Sequence, residues 1–494
     1  VPETPRPEQP CHFDVLIVGA GISGVGAGYH LKTRCPQKTY AILETREQLG
    51  GTWDVFRYPG IRSDSDMHTL GYSFRPWTSP RAIADGASIL SYLRETAEMF
   101  GIDRHIRYGH RVERASWSSA DAKWTVLVRD VRSGGMHRFT CRFLYMCSGY
   151  YDCEQGHTPE FAGVDRFRGR VVHPQAWPSD LDYEGKRVVV IGSGATAISL
   201  VPELAKRAAH VTMLQRSPTY MIAAPGDDPV AEWLAERLPA APAYAITRWK
   251  NLAIGLATYA ACRRFPGGAK KVLLHLVRRQ LGPNLDLNGH FTPSYKPWDQ
   301  RPCLVLDGDL FRAMAEGRAS IATDHIETFT ESGLRLRSGA QLDADLVVTA
   351  TGLNLKFLGG LAADVDGLQV LAARTIAYKG MMLSDVPNLA LAMGYTNASW
   401  TLKSDLTSKF VCRLLAYMDK HGHTQCCPRR GDAPIEEAPL IDLTASYVRR
   451  GTDELARQGK VAPWKLDRNY ALERIALRYA PIADGALQFS RPNR

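Results

Sequence analysis

No run of about twenty apolar residues occurs in this sequence, so no helix is expected to span a bilayer. The opening VPETPRPEQP is proline-rich and polar, without the apolar centre of a signal peptide, and residues 1–12 read as a flexible arm. The ten cysteines are scattered with no disulfide-framework spacing, which favours free thiols in a reducing compartment, the cytoplasm. His421, His423, Cys426 and Cys427 lie close together, but adjacent cysteines do not offer the paired ligands from two separated turns that a tetrahedral site uses, so no metal is expected. No zinc-finger spacing or RNP-type motif accompanies the net charge of +10, so nucleic acid is not an expected partner.

What is present is a repeated nucleotide-binding pattern in a chain of 494 residues, long enough for two or three domains. Phe13–Val18 is a short run rich in β-branched residues and reads as a buried parallel strand. It enters the turn Gly19-Ala20-Gly21-Ile22-Ser23-Gly24. Gly19 permits the turn, Gly21 admits a pyrophosphate to the backbone, and Gly24 lets the following helix pack on the sheet. Tyr40–Leu43 is the next strand, and Glu44 at its end is placed to accept hydrogen bonds from ribose hydroxyls. No CxxxxC pair follows, which excludes the disulfide-reductase variant of this arrangement. Arg187–Ile191 repeats the strand, and Gly192-Ser193-Gly194-Ala195-Thr196-Ala197 repeats the turn. The second unit ends His210–Leu214 in Gln215-Arg216-Ser217, with no acid. A guanidinium and a hydroxyl bind a 2′-phosphate that a carboxylate would repel, so the second site is expected to prefer NADPH. FAD suits the first site.

Between the two units lies FRGRVVHPQAWP, with Phe167, Gly169, His173 and Trp177 in the pattern FxGxxxHxxxW. In isolation such a short motif is more often an ordinary aromatic loop packed where two domains meet; its place between two nucleotide folds makes it a candidate for coupling them. Residues 221–297 interrupt the α/β pattern and read as helices broken at Pro239, Pro242 and Pro266. No acid occurs between Glu236 and Asp286, while many Lys and Arg do. In Lys270–Leu281 the residues Leu273, Leu276, Val277 and Leu281 make one face. Such a helix either covers a substrate cleft or lies on an anionic membrane. The expected architecture is α/β: two Rossmann-like domains, for FAD and NADPH, with a helical insertion. The FAD domain takes 13–150 and 351–494, the NADPH domain 151–220 and 298–350.

RYPGIRSDSDM, CSGYY, VVVIGSGATA, PWDQR, ATGLNL and GYTNASWTLK resemble segments of class B flavoprotein monooxygenases. Trp177 followed by Pro178 falls on the Baeyer–Villiger side of that family, and Asp345–Gly352 matches a second family motif. The resemblance implies flavin-site positions at Ser23, Glu44, Thr52, Trp53, Asp64 and Val112. It implies NADP-site positions at Arg62, Ser63, Asp64, Gly192–Ala197, Arg216 and Ser217, and a catalytic arginine at Arg301, held by Asp64. Many members carry a lysine where Gln300 stands, which puts more weight on Arg216. The implied reaction uses NADPH, FAD and O2, forms a C4a-peroxyflavin and converts ketones to esters or lactones, with sulfides and thioamides as further substrates. The neighbouring alternative is a flavin-containing monooxygenase that oxygenates sulfur or nitrogen.

Overall fold

The computed structural model describes residues 11–281, 286–431 and 434–491. Among these residues two sheets organise the chain. In the first, Cys11–Val18 lies parallel to Tyr40–Leu43 on one side and to Met136–Met146 on the other. Val15, Leu16 and Ile17 are fully buried, which is why so short a segment reads as an unbroken apolar run. His110–Ser118 and Lys123–Asp130 continue from Met136–Met146 as an antiparallel meander, and Leu389–Leu391 returns parallel beside it. The strand begins at Cys11, so residues 11 and 12 belong to the sheet and not to the arm expected over 1–12; residues 1–10 lie outside the described residues.

The second sheet is parallel, in the order Ala319–Thr323, His210–Gln215, Arg187–Ile191, Leu346–Thr349, Arg170–Val172. Its outermost strand, Arg170–Val172, comes from the FxGxxxHxxxW linker. The chain passes between the sheets at Tyr151–Gly156 and again at Leu353–Leu355, and these two passages pair as an antiparallel ribbon. One loop of the first nucleotide unit packs on the second: Phe56, Tyr58 and Ile61 join the core around Val188 and Ile198. Gly60, at φ +80°, places its Cα so close to Ser199 that a Cβ would come within 2.4 Å of the Ser199 carbonyl oxygen.

The insertion opens with a strand and not a helix: Met221–Ala224 pairs parallel with Cys303–Leu306. Helices Pro229–Ala235, Ala240–Arg264 and Pro266–Leu281 follow. Pro242 does not break the second of these, because it falls in the first turn, where the backbone N–H has no intrahelical partner to lose. The apolar face expected on the third is partly wrong. Val277 and Leu281 are buried, but Leu276 is exposed together with Val272. A long helix, Trp400–His421, packs on Ile22–Arg34 and completes the first domain.

Candidate functional site

Both glycine turns end in helices with bare N-termini. Ile22–Arg34 starts after Gly21 and Ala195–Leu204 after Gly194, each without a capping side chain and without an acid in its first turn. Some other helix starts are closed by side chains, as at Asp85, Asp228 and Asn469. A helix start left open in this way presents unsatisfied N–H groups and a partial positive charge, which a phosphate completes. The two helix starts border one cleft of about 1600 Å³. That exceeds the ~300–1,000 Å³ usual for a single small ligand.

The first turn is built by exclusion. Gly24 has no room for a side chain, since a Cβ would lie 1.9 Å from the Gly19 carbonyl oxygen. Gly21 faces Gly51 across the cleft mouth, and a Cβ on Gly21 would meet the Gly51 Cα at 3.4 Å. Glu44 is buried; its Oε2 accepts from the Ala20 N–H at 2.7 Å and its Oε1 from the Arg46 N–H at 2.9 Å. Each oxygen keeps a lone pair for a further donor. Burial raises the Glu44 pKa, against the pull of those two N–H groups. Thr52, Trp53 and Val112 line the same cleft. Ser23 does too, but its hydroxyl already accepts a hydrogen bond from the Trp400 indole N–H at 2.8 Å. Gly24 and Ala197 stand behind the wall, where they set helix packing and do not line the cleft.

In the second turn Gly192 sits at φ +138°, with space for a Cβ closed by the Ala350 carbonyl oxygen at 2.2 Å. Ser193, Gly194, Ala195, Thr196, Arg216 and Ser217 line the cleft. Ser193 donates to the Ser217 carbonyl at 3.3 Å and so ties the turn to the end of the neighbouring strand. Arg450, from the helix Ser446–Gly451, borders the same cleft. Burial lowers its pKa and the Arg216 charge lowers it further, with no carboxylate opposing them. Arg62, expected at the NADP site, lines the cleft and also donates to Asp309 at 2.6 Å. Ser63 turns its hydroxyl to the Ser65 backbone.

Arg301 is half-buried in the cleft and donates to Ser65 Oγ at 3.2 Å. The expected contact with Asp64 is absent among the described residues, and Asp64 acts on Arg301 through charge alone. Asp64 is exposed where it lines the cleft; the protein packed around it raises its pKa, and the charges of Arg301 and Arg62 pull it back. The loop before Arg301 is held on three sides. Trp298 adopts φ +69°, a conformation that bulky residues rarely take, and packs edge-on against Tyr259 at 5.3 Å. Asp299 accepts from Arg263 at 2.9 Å and its carbonyl accepts from the Thr444 N–H at 2.8 Å. Tyr150, Tyr151 and Tyr447 cluster by Arg301, whose charge reaches Tyr150 and Tyr447. Sequence reading left these aromatics, Ser65 and Arg450 unassigned; only the paired tyrosines of CSGYY gave any local signal.

The linker residues stay out of the cleft. Phe167 is buried against Phe329, and Gly169 is confined by the Asp345 carbonyl oxygen, 2.5 Å from where a Cβ would sit. Trp177 packs on the core of the second domain beside Tyr183. His173 reaches both passages of the connecting ribbon. Its Nε2 donates to the Gly352 carbonyl at 3.2 Å, and its Nδ1 accepts from the Gln175 N–H at 3.2 Å. Gly156 must be glycine for the ring to fit, since a Cβ there would fall 1.9 Å from it. Burial lowers the His173 pKa, which matches a neutral ring carrying its proton on Nε2.

Two bare helix starts on one cleft, one beside a buried acid and one beside two arginines, define a protein that takes two dinucleotides. A flavin-binding monooxygenase-like family model matches residues 76–233, and an NAD(P)-binding Rossmann-like domain model matches 17–79. The chain is 54% identical over 481 residues to the FAD-containing monooxygenase EthA of Mycobacterium tuberculosis, covering 97% of this chain and 98% of that one. It is 50% identical to EthA of Mycolicibacterium smegmatis, with 97% of each chain covered. A steroid monooxygenase bound to NADP shares its fold at a TM-score of 0.75 and 24% identity, over 97% of this chain and 99% of that one. An open cyclohexanone monooxygenase does so at 0.73 and 19%, over 97% and 100%. The chain belongs to the FAD-containing monooxygenases.

Proposed function

We propose that this protein is a Baeyer–Villiger monooxygenase that uses FAD, NADPH and O2 to convert ketones to esters or lactones, with sulfides and thioamides as further substrates. Arg301 carries this reading: a guanidinium in the cleft, on a rigidly held loop, with no carboxylate within 4 Å of it among the described residues. Two features support the cofactors: the bare helix starts fit two diphosphates, and Glu44 keeps lone pairs for a ribose. FAD, reduced by NADPH, supplies the activation of O2. The chain's own residues bind, orient and shield. Arg301 presents fixed donors to the negative charge that develops on oxygen as a carbonyl is attacked. Tyr150, Tyr151, Tyr447 and Trp400 wall the cleft and keep bulk water from the reacting atoms. Product analysis with one ketone and one sulfide tests the reading. An ester formed with one NADPH consumed per ester supports it; sulfoxide alone, with the ketone untouched, replaces it with the sulfur- and nitrogen-oxygenating alternative. The ten unpaired cysteines support a reducing compartment, the cytoplasm.

Arg216, with Arg450 opposite, selects NADPH in place of the lysine that Gln300 supplants. A charge-assisted hydrogen bond lost here is worth ~1.5–3 kcal/mol, or roughly ten- to a hundredfold in affinity. Arg216→Ala is therefore expected to weaken NADP+ binding to the holoenzyme by that factor and to leave NAD+ binding nearly unchanged, as read by fluorescence titration. Arg450→Ala moves the same way by less. Equal losses for both nucleotides would remove the assignment.

His173 acts as the positioning residue of the connecting ribbon. Its pKa in the folded protein lies below the unfolded value of about 6.5. The unfolded chain therefore binds the extra proton first, and stability falls as pH drops below about 6.5. Thermal melts at pH 7.5 and pH 5.5 are expected to differ more for the native protein than for His173→Gln. Equal differences would show that His173 carries none of the acid sensitivity.

A further inference from the structure

Eight Lys and Arg residues and no Asp or Glu fall between Arg237 and Leu281, in a chain whose whole net charge is +10. The stretch forms two helices, Ala240–Arg264 and Pro266–Leu281, that meet at Phe265. The inner stripe of the first, from Tyr244 through Arg248 and Leu252 to Cys262, is buried. Its outer stripe is not the polar face a surface helix normally shows. Ile246, Trp249 and Ile254 project from it, and no charged residue lies anywhere between Asn251 and Cys262. Phe265 at the tip is 63% exposed and Val272, nearly two turns into the second helix, 59%. A third helix, Tyr470–Tyr479, extends this surface: Arg474 stacks on the Trp249 ring at 5.2 Å, and Leu472, Ile475 and Tyr479 are exposed. Lys250 and Arg263 are paired, with Asp228 and Asp299. Among the described residues Arg264, Lys271, Arg278 and Arg279 have no carboxylate partner, and Arg264 lies over the Phe265 ring.

We propose that this hairpin docks the enzyme on an anionic phospholipid surface. Exposed apolar groups rimmed by unpaired cations match a headgroup layer with acyl chains beneath it, and the two signals together give the reversible binding that neither gives alone. A second copy of the chain fits less well, because a self-complementary contact would press one acid-free basic surface against another. No described helix is long and apolar enough to cross a membrane, so the contact is peripheral. It also bears on the chemistry, since Tyr259 and Arg263 of the same helix hold the loop that carries Arg301.

Co-sedimentation of the FAD-loaded enzyme with vesicles tests this. Binding to phosphatidylglycerol vesicles is expected to be at least about tenfold tighter than to phosphatidylcholine and to weaken at least about tenfold in high salt, as screening requires. Phe265→Asp combined with Val272→Asp should lose about tenfold in vesicle affinity and keep its NADPH oxidation rate without vesicles. No binding to phosphatidylglycerol, equal binding to both lipids, or equal binding by the variant overturns the proposal. So does a dimer in analytical ultracentrifugation that the double variant dissociates, which would assign the surface to a second copy.

Discussion

Arg301→Ala is expected to cut ester formation by at least about a hundredfold, the usual loss when one fixed donor to a developing oxyanion is removed. Flavin reduction by NADPH should change little in the same variant, because hydride transfer between two bound cofactors develops no charge on the substrate oxygen. The split is the informative part: a residue that merely supported the fold would depress both rates together. The surroundings make the effect specific to position as well as to charge. Arg301 follows a loop fixed by Trp298 on Tyr259, by Asp299 on Arg263 and by Thr444, so its guanidinium is held in place before substrate arrives. Arg301→Lys keeps the charge and loses the planar fork, and should fall between the two. Rapid-mixing measurement of flavin bleaching, beside ester yield, reads both quantities. Normal ester yield from Arg301→Ala would remove the residue from the chemistry.

Gly24→Ala is expected to give protein with under about a tenth of the flavin absorbance per chain of the native enzyme, since the clash falls on backbone that cannot yield cheaply. The added Cβ would stand 1.9 Å from the Gly19 carbonyl oxygen, so the turn or the helix after it must move. Either displacement misdirects the N–H groups that the diphosphate needs. Gly255→Ala is the matching control: its Cβ would meet nothing within 4 Å, and it should keep its colour. A circular dichroism melt separates lost cofactor from lost fold. If Gly24→Ala retains normal flavin, the close packing at that turn is not what holds the cofactor.

The parts of this molecule most legible in the sequence are those where sterics leave a single solution. Gly19, Gly24 and Gly192 occupy places where backbone passes backbone, and only glycine fits, so the two nucleotide units could be read from spacing alone. The acid at Glu44 and its replacement by Arg216 were legible for a similar reason, since a strand end fixes where the next side chain stands. Arg301 was not legible in this way. Nothing in its neighbours marks it, and only family resemblance pointed to it. Trp400 and Ser23 are joined by a hydrogen bond across 377 positions, and no local pattern encodes such a contact. Arg62 lines the cleft, and its pairing with Asp309, 247 positions away, is likewise set by tertiary packing that no local pattern encodes. The misjudged face of Pro266–Leu281 has another cause. Periodicity assumes that apolar residues point inward, and Val272 and Leu276 point outward.

The central claim is that one atom of O2 is inserted into substrate in the cleft between the two nucleotide cradles. The most direct test supplies the purified enzyme with FAD, NADPH, a ketone and isotopically labelled O2, and follows the label by mass spectrometry. The account predicts one labelled oxygen in each ester molecule, matched one for one by NADPH consumed. Unlabelled product, or NADPH oxidation that ends entirely in labelled hydrogen peroxide, would contradict it.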